Sequence, residues 1–240
     1  MIDMKLVTEL KDSLFNDNVA DLCIDLTEIG IDSVMDDGVL SEVPIAKTIV
    51  ALSKTGLAIR ERNMLKQTLT FISAFNSETI SDEQLQKYKD KMTNNKYAEK
   101  ELRRVLYLLD RNIDNVKSAI LGKIFNAYVN GKMGWDKFCE LSEVNERMFV
   151  SDYKMLLSDE KMQYTNGNYI ISRLIALGIV VEKDAPNASK TYIEMFYNVK
   201  KSDIDLFNKS DYQITSFGEE LIKYLNVKIP YGGEKDEFSY

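Results

Sequence analysis

A chain of 240 residues that is 45% hydrophobic and 29% charged holds enough apolar material for a real core and too much for a disordered chain. Its formal charge of −7 and pI of about 4.9 exclude an overall basic excess, so nucleic-acid binding through phosphates would need a local patch. Histidine is absent, which removes the commonest general base, the usual zinc ligand and every histidine triad.

With only 3 prolines, helices can run uninterrupted, and a mostly helical protein is expected. From Met4 to Ile29 apolar residues recur at Leu6, Leu10, Leu14, Leu22, Leu26 and Ile29, which is helical spacing with a break near Asn16-Asp17-Asn18. Met1 to Leu10 carries acids and lacks a signal-peptide core, and no stretch reaches the roughly 18 apolar residues that a membrane span requires. The expected location is cytoplasmic. Gly30 to Leu40 reads as a connection. Ser41 is a candidate N-cap, with Pro44 in the first turn of a helix that runs past Phe75 and is weakest at Gly56.

Ser81-Asp82-Glu83 opens a polar helix to about Thr93, and Asn94-Asn95 breaks it. The clearest long helix is expected from Ala98 to Asn130, with Leu102, Val105, Leu109, Ile113, Val116, Ile120, Ile124 and Tyr128 on one apolar stripe. Gly131 to Gly134 forms a turn, and a further helix carries Trp135, Phe138, Val144 and Met148 into the same core. Cys23 and Cys139 lack Cys-x-x-Cys spacing and read as small core residues, in keeping with a reducing compartment.

The character changes after Asp152. Asn166-Gly167-Asn168 is a turn, and Tyr169 to Leu177 is a short apolar helix ended by Gly178. Ile179 to Glu182, Thr191 to Val199 and Tyr212 to Thr215 read as strands. Ser216 and Glu219 form a capping box that opens a last helix through Leu225. The acidic, glycine-containing stretch from Pro230 to Tyr240 reads as a flexible tail. No internal repeat, low-complexity run or sustained heptad is present.

The order helix, Leu174-x-x-Leu177-Gly178-Ile179, strands, Tyr212-x-Ile214-Thr215-x-x-Gly218, helix resembles a winged-helix domain. The resemblance covers about 60 residues and implies a helix near Thr165 to Ile175 that enters a major groove. It offers Asn166, Asn168, Ser172 and Arg173, with Lys161 and Gln163 just before. Lys and Arg roughly balance Asp and Glu across 161–225, and Asp184 to Asp211 is long for a simple wing. That charge balance favours protein interaction or dimerisation, with Tyr169, Leu174, Tyr192 and Phe196 as apolar anchors.

No Gly-rich phosphate loop and no Gly-x-Ser-x-Gly motif appears. Asp110 and Asp114, four apart, are a conceivable Mg²⁺ pair, but Arg111 and Lys117 beside them favour a solvated face. Asp136, Glu140 and Glu143 read the same way beside Lys137 and Arg147. Lys87, Lys89, Lys91, Lys96, Lys100, Arg103 and Arg104 are a basic concentration. Interleaved Asp90, Glu99 and Glu101 favour an ordinary solvated helix pair over a surface that meets nucleic acid or an acidic partner. Val43 to Leu65 is small and apolar at its start. It reads as a buried central helix, or else as a segment that engages a membrane or partner groove when released.

Two further stretches resemble a family of uncharacterised bacterial proteins. One is Gly38-Val39-Leu40 through Val43-Pro44-Ile45 to Ile59-Arg60-Glu61-Arg62; the other is Asp110 to Asp114 through Leu121-Gly122-Lys123 to Gly134-Trp135-Asp136. The layout resembles abortive-infection proteins of phage defence, and carries over no functional residues. The sequence thus predicts a mainly α protein: a multi-helix body over 1–157, a small α+β winged-helix-like domain over 158–228 and a tail over 229–240. The expected function is that of a non-enzymatic interaction or regulatory protein without metal or cofactor, binding a protein partner or its own copy. A DNA-binding regulator and a phage-defence effector working through 43–65 are the alternatives.

Overall fold

Helical spacing of apolar residues runs through most of the chain, and the computed structural model is accordingly mainly helical. It describes residues 4–16, 18–19, 22, 42–52, 59–94, 96–157, 163–165, 169–182 and 209–226. Among these are ten helices and three short strands. They divide into two compact units, one within Met1–Arg147 together with Asn226, the other within Met148–Leu225.

The first unit holds α1 (Met4–Leu14), α2 (Pro44–Leu52), α3 (Ile59–Asn76), α4 (Asp82–Asn94), α5 (Lys96–Arg111), α6 (Asn115–Val129) and α7 (Trp135–Arg147). Its centre is the pair α3 and α6. Leu65, Leu69, Phe71, Ile72 and Phe75 of α3 are buried, as are Val116, Ala119, Ile120, Leu121, Ile124 and Phe125 of α6. Gly122 allows the close approach: a Cβ there would stand 2.6 Å from the Phe71 carbonyl oxygen and 3.0 Å from the Phe75 nitrogen. Linked ring contacts extend this core from Phe15 and Phe75 through Tyr88 and Phe125 to Tyr128, Phe138 and Trp135. Val43, just before α2, and Ile45, Ala46, Thr48 and Ile49 within it are buried, and the Ile45 N–H near its start donates to the Ser13 hydroxyl at 3.1 Å.

The helix expected from Ala98 to Asn130 is two helices. The break falls at Asn112 to Asp114, where Ile113 points outward and is 83% exposed. Side chains of α3 hold this break from across the core. Asn63 donates to the Asn112 carbonyl at 2.7 Å, and Gln67 donates to the Ile113 carbonyl at 2.9 Å. These bonds satisfy carbonyls left over at the end of α5. At the far end of α6, Gly131 has φ of 72°, and Lys132 N–H bonds to Ala127 and Gly131 N–H to Tyr128. That is a Schellman cap. The following helix ends at Arg147, so Met148 lies beyond it.

The second unit holds α8 (Val150–Leu157), β1 (Gln163–Thr165), α9 (Tyr169–Ala176), β2 (Val180–Glu182), β3 (Lys209–Ile214) and α10 (Ser216–Ile222). The sheet order is β1-β3-β2 and both pairings are antiparallel, with Gln163 opposite Asp211 and Val180 opposite Ile214. Gly178 has φ of 71°; Ile179 N–H bonds to Leu174 and Gly178 N–H to Ile175, a second Schellman cap that turns α9 into β2. The N-cap of α10 is Thr215, one residue before the expected Ser216. Its hydroxyl accepts from Gly218 N–H at 3.0 Å, and its own N–H donates to the Ile179 carbonyl at 2.9 Å. The strand expected over Thr191 to Val199, the turn Asn166 to Asn168, Ser41, Gly56, Asn95, Cys23, the connection Gly30 to Leu40 and the tail lie outside the described residues.

Candidate interaction surface

Helix α9 has the sequence Tyr-Ile-Ile-Ser-Arg-Leu-Ile-Ala. Ile171 and Leu174 are buried in the core of the second unit with Tyr153, Ile179, Leu221 and Leu225. Helical geometry then turns Tyr169, Ser172 and Ala176 outward, with Ile175 beside them. Tyr169 is 70% exposed and Ile175 is 40% exposed. Arg173 lies on the same side of the helix, with 24% of its side chain exposed.

Arg173 is the one charged residue of α9, and it is tied down. Its guanidinium binds both carboxylate oxygens of Asp152, with Nε to Oδ2 at 2.8 Å. Asp152 is completely buried, and it also accepts from Phe149 N–H at 2.8 Å. That second bond is half of a capping box at the start of α8. The hydrogen bond to Asp152 raises the Arg173 pKa, helped by the carboxylate's charge and opposed by burial. The guanidinium stacks over the Phe149 ring at 4.5 Å and lies 5.6 Å from the Tyr169 ring. Phe149 is 59% exposed, so two aromatic rings flank a neutralised arginine at the surface.

Of the expected apolar anchors, Tyr169 is on this surface, Leu174 is in the core, and Tyr192 and Phe196 lie outside the described residues. Of the expected nucleic-acid contacts, Arg173 is engaged by Asp152 and Gln163 stands on β1. Lys161, Asn166 and Asn168 lie outside the described residues. The expected groove helix begins at Tyr169, and Thr165 belongs to a strand. Phe149 and Asp152 escaped sequence reasoning. Their only sequence signal is the acid in the first turn of α8, which reaches back to the preceding N–H.

The other candidates resolve into structural ties. Asp110 accepts from Arg60 of α3, and Asp114 stands at the N-cap position of α6 without a side-chain cap hydrogen bond. Glu143 binds Arg104 at 2.8 Å, and Glu140 binds Lys137 at 3.1 Å. Among the described residues no three Cys, Asp or Glu side chains are grouped to hold a metal ion. Cys139 is half-buried on α7 instead of fully in the core, and burial raises its thiol pKa. An open groove of about 570 Å³ lies between Phe15 at the end of α1 and Lys89 and Thr93 of α4, with Lys11 and Asp12 on its wall.

One expectation is overturned in the basic stretch. Glu101 is no solvated partner among mixed charges; it is 5% exposed. It accepts from Tyr88 Oη at 3.2 Å, from Tyr128 Oη at 2.9 Å and from Lys91. Burial, then the charge of Glu101, pushes both phenol pKa values well above their usual range, so both phenols stay protonated and donate. The cluster ties α4, α5 and α6 together. Among the described residues no helix is long and apolar enough to cross a membrane. No protein-family model matches the chain, and comparison with curated proteins and with solved structures finds no match either.

Proposed function

We propose that this is a non-enzymatic protein-interaction or regulatory protein whose residues 158–228 form a winged-helix-like interaction module. The observation that carries the proposal is the outer face of α9: it is apolar at Tyr169 and Ile175, and its one charged residue, Arg173, is already paired with Asp152. A helix that reads DNA needs cationic or amide side chains free to reach phosphates and base edges. A protein partner instead rewards desolvated aromatic and aliphatic anchors. The winged-helix reading is supported by the direct passage from α9 through Gly178 into β2, by the central place of β3 in the sheet, and by α10 following it. In the winged-helix arrangement the return strand is likewise central.

The alternatives draw less support. A DNA-binding regulator would have to act through residues other than Arg173. An effector working through 43–65 would have to pull Val43, Ile45, Ala46 and Ile49 out of the core. The test runs the full chain against a mixed-sequence DNA duplex at low salt, and in parallel against immobilised extract proteins with a Tyr169→Arg, Ile175→Glu variant as control. The expected result is no duplex binding and a retained protein that the variant loses. Salt-dependent binding of the duplex by the wild-type chain overturns the proposal.

A further inference from the structure

We propose that Asn130-Gly131 is a latent deamidation site, silent while the cap of α6 is closed and reactive in molecules whose cap has opened. An asparagine before glycine is chemically labile, because the glycine has no side chain to hinder attack by its own backbone nitrogen. That nitrogen gives up its proton and bonds to Cγ of Asn130. The Cγ–Nδ2 bond breaks, and the side-chain nitrogen leaves as ammonia, carrying the proton that solvent relays to it. A five-membered cyclic imide results. Water then opens the ring at either carbonyl, leaving aspartate or isoaspartate, so the net change is one water gained and one ammonia lost.

The fold blocks that attack in three ways. The ring closes only when Cβ of Asn130 and the Gly131 nitrogen are eclipsed about the Cα–C bond. Asn130 has ψ of 3°, so the Gly131 nitrogen eclipses the Asn130 backbone nitrogen instead. The Gly131 N–H is also held by the Tyr128 carbonyl at 3.0 Å, within the same cap that sets its φ of 72°. The side chain is anchored too: Nδ2 donates to the Thr79 carbonyl at 3.1 Å, and Oδ1 accepts from Ser81 N–H at 3.4 Å. All three restraints vanish together when the end of α6 parts from residues 79–81. The product does not fit back. Aspartate has no Nδ2 donor for Thr79 and brings a negative charge to a helix end where carbonyls already point. Isoaspartate lengthens the backbone inside the cap. An opening that lasts long enough is thereby made permanent.

The test incubates the full chain in mildly alkaline buffer, either folded or in guanidinium chloride above its unfolding midpoint. Peptide mass spectrometry then locates deamidation over time. In the unfolded chain Asn130 should react at a rate close to that of Asn166, which also precedes a glycine. In the folded chain Asn130 should react more slowly by about tenfold or more, because only the open fraction reacts. Denaturant below the midpoint should raise that rate towards the unfolded value. Asn130→Asp, which carries the product from the start, should raise the unfolded fraction at a given denaturant concentration by about fivefold. A folded chain that deamidates at Asn130 as fast as the unfolded one overturns the proposal. So does an unfolded chain in which Asn130 stays intact while Asn166 reacts. An Asn130→Asp protein as stable as the wild type shows that the cap closes over the product, and overturns the permanence of the mark.

Discussion

Asp152 is a fully buried carboxylate that ties α8 to α9 in the second unit. A carboxylate with no exposed surface is tolerable only while Arg173 and the Phe149 N–H satisfy it. Arg173→Ala strips away the charge partner and leaves the carboxylate buried, so it should cost about 2–3 kcal/mol. The lower end is reasonable because Arg173 itself remains a quarter exposed. Asp152→Ala should cost a comparable amount, and the double variant much less than the sum of the two, with urea denaturation as the measurement. Additive losses would show that the pair is not coupled. At this scale the sequence was half legible. Arg173 was read with Asn166, Asn168 and Ser172 as a side chain the groove helix would offer DNA. Its partner lies 21 residues earlier on another helix, and no spacing rule connects them. Glu101 was misread for the same reason. Its neighbours in sequence are charged, but α5 turns it towards Tyr88 and Tyr128 on other helices.

Helices announce themselves through periodicity, and their ends through local chemistry. The stripe from Leu102 to Tyr128 gave the right face on both sides of Asn112 to Asp114, but a three-residue break advances the pattern by almost one turn, so the stripe runs on unperturbed. The break is held by Asn63 and Gln67 from α3, which only the fold brings near. Gly131 and Gly178 were legible because a left-handed cap selects glycine locally. The N-cap of α10 was displaced by one residue, since Thr215 and Ser216 both carry a capping hydroxyl and only the position of the Ile179 carbonyl decides between them. Gly122 gave no such signal. Its role is a distance between α3 and α6, not a backbone conformation, and the added methyl of Gly122→Ala would press on the Phe71 and Phe75 backbone. Alanine favours helix by about 1 kcal/mol over glycine, whereas overpacking a core costs about 1–3 kcal/mol. The contact at 2.6 Å involves backbone, which gives little, so the variant should be destabilised overall. A raised melting temperature would mean that α3 and α6 separate cheaply.

Over the whole molecule, the cluster of Glu101, Tyr88, Tyr128 and Lys91 sets a limit on alkaline stability, because it joins three helices of the first unit. The phenols of Tyr88 and Tyr128 titrate far above their ordinary value of 10.0, chiefly through burial and then through the Glu101 carboxylate. In the unfolded chain both lose their protons as pH passes about 10, while the folded chain keeps them. The folded state then binds more protons than the unfolded one, so stability falls as pH rises. The contribution is fully present below pH 10 and declines above it, by up to about 1.4 kcal/mol per pH unit for each phenol. Urea midpoints should therefore hold level between about pH 7 and 8, ease downward from about 8.5 as the unfolded Cys139 thiol ionises before the folded one, and drop steeply above about 10. Tyr88→Phe should lower stability at neutral pH by about 1 kcal/mol through the lost hydrogen bond, and also make the alkaline decline shallower. The slope separates electrostatics from packing: a Phe that merely packs worse shifts every midpoint equally, whereas a phenol kept protonated by burial changes how the midpoints depend on pH. Parallel curves for the two proteins would show that Tyr88 ionises as freely in the fold as outside it.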